Sequence, residues 1–200
     1  MPTVTDTFPA PSIDTTKWTS ATTGSTSLVV GTPSDGVYPQ TVGDDGDSVI
    51  ISSSGKSSVP GSTSFEVEVS YEDVFTDPDE VIVSFLGWRS DLLDASGDAA
   101  YGIDVALVVS PGPTYEFHRG VINLGTASRD VLEIDASSGG DGGLRITRSG
   151  SDYLLYRYDS GTTSWVLLDT VSLPHVGTGY ILVGQFAETP TFPFPWITAV

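Results

Sequence analysis

The sequence predicts an all-β fold, a two-sheet antiparallel jelly-roll sandwich that fills one domain. Three observations lead there. The apolar stretches are short and rich in Val, Ile, Thr, Tyr and Phe, residues that suit a pleated, half-buried surface. None carries the 3.6-residue period of an amphipathic helix. Clusters of Gly, Pro, Asp and Ser interrupt them at short intervals, as in chains of many strands.

In chain order, residues 27–30 and 47–52 form short strands around two turns, Pro33-Ser34-Asp35-Gly36 and Gly43-Asp44-Asp45-Gly46. After Pro60-Gly61 comes the clearest strand, 65–72. Phe65, Val67, Val69 and Tyr71 share one face, and Glu66, Glu68, Ser70 and Glu72 share the other, so one side meets a core and one meets water. Residues 81–88 are apolar on both faces apart from Ser84 and read as a more central strand. Alternation returns in 101–109 with Tyr101, Ile103, Val105, Leu107 and Val109 together. Beyond Pro111-Gly112-Pro113, strands are expected at 114–121, 131–134, 143–148, 153–158, 165–171 and 180–186. Residues 1–188 thus read as the sandwich. Residues 189–200 read as a separate tail in which prolines alternate with Phe192, Phe194 and Trp196. A strand with prolines at that density cannot sit centrally in a sheet.

Two hundred residues suffice for a core without staples, since roughly 70% of the unfolded surface can be buried at this size. The chain has no cysteine, which excludes disulfides, thiolate metal sites and cysteine nucleophiles. A formal charge of −18 repels phosphate backbones and anionic bilayers, so neither nucleic acid nor membrane insertion is expected. No signal peptide follows Met1, which directs the expected location to a virion surface, or to an extracellular setting reached by release on a virus particle. Aspartate supplies 19 of the acids against 7 glutamates, mostly in Gly/Ser/Pro-rich stretches where it makes Asx-turns. Calcium is the sharper reading for a few of these positions. No cofactor is required, but Asp44, Asp45 and Asp47 put three carboxylates on one short turn and are the candidate calcium ligands. Asp77, Asp79 and Glu80, and Asp94 with Asp98, form weaker sets.

The phrase Leu144-Arg-Ile-Thr-Arg148-Ser-Gly-Ser-Asp-Tyr153-Leu-Leu-Tyr156-Arg-Tyr158, followed by Trp165-Val-Leu-Leu168, resembles the late strands of concanavalin-A-like (laminin-G and glucanase-like) jelly rolls. The opening, Asp6-Thr7-Phe8 with Ile13-Asp14 through Lys17-Trp18, is similar to the start of such domains, and Gly179 to Gly184 is similar to a later strand. The resemblance implies the jelly-roll fold, which hosts lectins, glycosidases, adhesion modules and virion parts alike.

The same resemblance directs attention to Glu133-Ile134-Asp135, similar to the first half of the glycosidase signature E-x-D-x-(x)-E. In that family the first Glu is the nucleophile, the Asp orients it, and a second Glu is the acid/base. Here the corresponding positions are Ser137 and Ser138. A hydroxyl cannot protonate a glycosidic oxygen as a carboxylic acid of raised pKa does. Glu133 and Asp135 therefore read as solvent-facing residues of an edge strand, and the chain is not expected to be an enzyme. The histidines, His118 and His175, lack metal-ligand spacing and read as surface or half-buried residues.

Sugar recognition needs a flat aromatic flanked by hydrogen-bonding groups. Trp18 and Trp165 occupy positions where the resemblance implies packing. Trp88 competes between core packing and ligand contact. With Arg89 and Asp91 after it, and with Tyr101, it forms the candidate site for a neutral glycan. Phe192, Phe194 and Trp196 would make an exposed apolar patch unless covered, either by the chain's own sandwich or by a neighbouring subunit. The expected role is a non-catalytic structural or adhesion component of a larger particle, such as a phage head decoration or tail accessory protein, with other subunits as partners. A free carbohydrate-binding module or lectin is the alternative, and a glycoside hydrolase comes third.

Overall fold

The computed structural model describes residues 18–22, 26–31, 36–41, 48–53, 64–72, 82–90, 101–110, 114–135, 142–174, 179–187 and 196–199. Side chains are described at 66, 85–90, 101–110, 114–134, 142–174 and 179–184. The early strands are β1 (Trp18–Thr22), β2 (Thr26–Gly31), β3 (Gly36–Thr41), β4 (Ser48–Ser53) and β5 (Ser64–Glu72). The middle of the chain forms β6 (Ile82–Arg89), β7 (Tyr101–Ser110), β8 (Thr114–Asn123) and β9 (Thr126–Asp135). The remainder forms β10 (Gly142–Ser149), β11 (Asp152–Asp159), β12 (Ser164–Ser172), β13 (Tyr180–Ala187) and β14 (Trp196–Ala199).

These strands make two antiparallel seven-stranded sheets, the jelly-roll sandwich expected. The first runs β1-β4-β13-β6-β7-β8-β9, and the second runs β12-β11-β10-β5-β14-β3-β2. Among the described residues no helix is long and apolar enough to cross a membrane.

Alternation builds the core. Leu86 and Trp88 of β6, Ile103, Val105, Leu107 and Val109 of β7, and Tyr115 and Phe117 of β8 face Leu144, Ile146, Tyr153 and Leu155 of the second sheet. Each such side chain, once buried, contributes about 1.5–3 kcal/mol. The outer face of β7 is buried as well. Ala106 and Val108 pack with Phe85, and Asp104 is only 3% exposed. At the β9/β12 edge, ion pairs tie the two sheets together. Arg119 of β8 bridges Asp130 and Asp169, and Arg157 of β11 donates to both oxygens of Glu133 at 2.9 and 2.8 Å.

The last residues of the tail return to the chain's own sandwich: Trp196–Ala199 lies inside the second sheet, paired with β5 on one side and β3 on the other. The physical reason is local. The prolines stop at Pro195, so the four residues of β14 keep every amide the ladder needs. Phe192 and Phe194 lie outside the described residues.

Candidate functional site

Three strands of the first sheet carry a glycine at facing positions of the outer surface. Asp104 of β7 pairs with Gly87 of β6 on one side and Gly120 of β8 on the other, while Arg89 pairs with Gly102. Glycine in a strand interior marks close approach of another group. A Cβ at Gly120 would fall 2.3 Å from Asp104 Oδ2, and one at Gly102 would fall 2.5 Å from Arg89 Cδ. The Asp104 carboxylate thus lies over Gly120, and the Arg89 side chain lies over Gly102.

The result is a depression of about 280 Å³, floored by Asp104, Gly120 and Arg89 and walled by Ile122, Ala127, Ser128 and Arg129 of the β8–β9 hairpin. Arg89 Nη2 donates to Asp104 Oδ2 at 3.1 Å, and Arg129 Nη2 donates to Oδ1 at 3.0 Å. Arg89 Nη1 is anchored on the Trp88 and Ile103 carbonyls, both at 3.1 Å. Arg89 Nε is buried without a hydrogen-bond partner. A carboxylate this far from water is tolerable only when paired and hydrogen-bonded, and the two guanidiniums supply that.

Of the four residues expected to form a sugar site three are described, and of these only Arg89 lies in this depression. Trp88 has no exposed surface. Its ring sits 5.3 Å from that of Tyr153, under the buried Arg148 guanidinium and against Gly179, where a Cβ would lie 2.1 Å from Nε1. Contrary to expectation, the enclosed Trp88 ring offers no face on which a sugar could stack. Tyr101 packs half-buried against the same core. Successive strand residues point to opposite faces, so Trp88 and Arg89 could not serve one surface. Asp91 lies outside the described residues.

Asp44, Asp45 and Asp47 also lie outside them, as do Asp77, Asp79, Glu80, Asp94, Asp98, His175, Ser137 and Ser138. Among the described residues no group of three or more His, Asp or Glu side chains converges as a metal site would. Glu133 is 32% exposed and pairs with Arg157 across the sandwich edge. His118 Nε2 donates to the Glu116 carboxylate at 2.8 Å. Trp165 lies under Arg145, 4.1 Å from its ring centroid, and edge-on to Tyr158. The strand pairing puts Tyr156 and Tyr158 on the outer face of the second sheet, away from the depression.

Sequence reasoning missed Asp104, Gly120 and Arg129. Their signal was present: one acid inside an apolar strand, with glycines interrupting the strands on either side. Which glycines would face it depended on register.

No family model matches the chain, and no curated protein does. Solved structures do. A legume lectin-like domain from Entamoeba histolytica superposes with a TM-score of 0.61 at 11% identity, over 99% of this chain and 97% of that one. A glycoside hydrolase family 16 endo-glucanase from Bacteroides ovatus gives 0.57 at 11%, over 94% and 86%. The CBM2 module of an evolved Dit protein from Lactobacillus casei BL23 phage J-1 gives 0.56 at 15%, over 92% and 95%. At such identities the likeness shows the fold alone: the chain is a jelly-roll sandwich of the kind that these lectin-like and glucanase structures share.

Proposed function

We propose that this chain is a non-catalytic glycan-binding domain, seating a sugar in the Arg89–Asp104–Arg129 depression, and that it serves adhesion or assembly on a larger particle. The observation that carries the reading is the depression itself. One carboxylate and two guanidiniums converge on a glycine floor, beside the apolar Ile122 and Ala127, which matches the mixed hydroxyl and C–H surface of a sugar ring. The lectin-like neighbour and the phage Dit module are consistent with a binding role, and the latter supports a virion setting.

The glucanase likeness keeps hydrolysis in play as a second reading. Against it, among the described residues the depression is lined by one carboxylate, Asp104, where glycosidases use two. Glu133 is held by Arg157, and Ser137 and Ser138 supply no acid.

A glycan array on the parent protein beside Asp104→Asn and Arg129→Gln tests the proposal. Binding by the parent that falls at least tenfold in both variants is expected, as for loss of charge-assisted hydrogen bonds worth roughly 1.5–3 kcal/mol each. Silence of the parent on every glycan sinks it. The array is repeated in a chelator, because a calcium requirement would point to Asp44, Asp45 and Asp47. Hydrolysis of β-glucans that disappears in Glu133→Gln would instead make the chain an enzyme.

A further inference from the structure

We infer that the depression selects a sugar bearing a carboxylate, a uronate-type unit, over its neutral counterpart. This rests on the glycan-binding reading above and sharpens it, because the residues expose donors in excess of acceptors. Both oxygens of Asp104 are engaged, one by each arginine. Among the described residues two guanidiniums face one carboxylate, which leaves a local positive charge. Arg89 Nε is buried and both of its Nη groups are engaged. The donors offered to a ligand are therefore those of Arg129, which is 41% exposed and, among the described residues, engaged only through Nη2. The ligand that complements such a site brings acceptors and a negative charge.

The shape of the donors narrows the class. A guanidinium is a planar fork that matches a carboxylate through two parallel hydrogen bonds. Arg129 is held at Asp104 through Nη2, which leaves the rest of its fork to meet a carboxylate. Arg89, spent on two backbone carbonyls and Asp104, adds its charge from the floor. The volume of about 280 Å³ sits at the small end of ligand pockets, room for one sugar unit and not a long chain. Net charge limits the ligand further. The chain carries −18 overall, a field that opposes any anion at long range. Salt screens that field beyond about 8–10 Å, while contacts inside the depression persist. A single carboxylate on an otherwise neutral glycan therefore gains the local contact, whereas a polyanion meets the repulsion along its whole length.

The test compares glucuronate-, galacturonate- and mannuronate-ended oligosaccharides with their carboxyl-reduced twins, and includes a polysulfated oligosaccharide, by titration calorimetry on the full chain. At least one acid should bind roughly tenfold to a hundredfold tighter than its reduced twin. Arg129→Gln, whose amide can still donate to Asp104, should bring the two to equal affinity in a chain that circular dichroism shows to be folded, at whatever cost in melting temperature the lost ion pair brings. Arg145→Gln, on the opposite sheet, should leave the preference intact. Equal binding of acid and reduced sugars by the parent overturns the inference but leaves the glycan reading standing. Tighter binding of the polysulfated chain, or an acid preference that survives in Arg129→Gln, overturns it as well. Silence on the whole panel overturns both.

Discussion

At the scale of single residues, two side chains occupy positions that ordinary preferences oppose. Leu124 and Gly125 form the two-residue turn between β8 and β9, with φ of 51° and 77°. Positive φ at both central residues marks a type I′ turn, which favours Asn-Gly. Leucine in that conformation costs about 1 kcal/mol or more, and nothing repays it by burial, since Leu124 is 74% exposed. Leu124→Asn is expected to stabilise the fold by about 1 kcal/mol in chemical denaturation. A destabilised variant would mean that the leucine side chain contributes more than its backbone costs. Tyr153 is the second case. Burial pushes its hydroxyl up to about 12, against a downward pull from Arg148. Its folded pKa thus exceeds the unfolded value of about 10. The associated stability is fully present below about pH 10 and is lost as pH rises through about 12. For a shift of this size the loss is roughly 2–3 kcal/mol. Urea unfolding across that window should show it, and Tyr153→Phe should remove that part of the decline. An identical alkaline decline in Tyr153→Phe would assign it to other groups.

At the scale of elements, legibility tracked burial. The strand 65–72 and β7 were readable because one face of each is continuously apolar. The first half of β9 was not, for Thr126 through Asp130 carries no apolar alternation. It is an edge strand, exposed along most of its length, so burial never shaped its sequence. β1, with Thr19, Ser20 and Thr22, and β3, which contains Pro39, were unread for related reasons: polar composition and a proline both argue locally against a strand. The turn after β11 behaved as its composition implied. Asp159 accepts the Thr162 and Gly161 amides, and these bonds, the one from Thr162 foremost, hold its carboxyl below the usual range. The candidate site was half legible for a geometric reason. Arg89 stood out beside Trp88, but Asp104, Gly120 and Arg129 became its neighbours only through the register of four strands. A one-residue slip would send every one of them to the other face.

At the scale of the whole molecule, the sandwich depends on its last strand. β14 is short, yet it joins β5 to β3, and β2 and β3 reach the rest of the second sheet through it. Removal of residues 196–199 should therefore split that sheet and leave two inward edges unpaired. Thermal melts of the truncated and full chains are expected to differ in cooperativity as well as midpoint, with a broad transition for the shorter one. Superimposable melts would show that the sheet holds without β14. The same scale reconciles the two electrostatic facts. The molecule as a whole is strongly acidic, but two of its few arginines are gathered where a ligand can touch them, so long-range field and local contact act in opposite directions.

The position of β14 also bears on how the protein is made. Val37 must wait for Ile197 before its strand has a neighbour on that side, so about 160 further residues have to leave the ribosome before the second sheet can close. Pairings so distant in sequence form slowly. Until then β3 and β5 present bare edges to other nascent chains, and cells producing this protein at speed are expected to gain from anything that shields those edges during the delay.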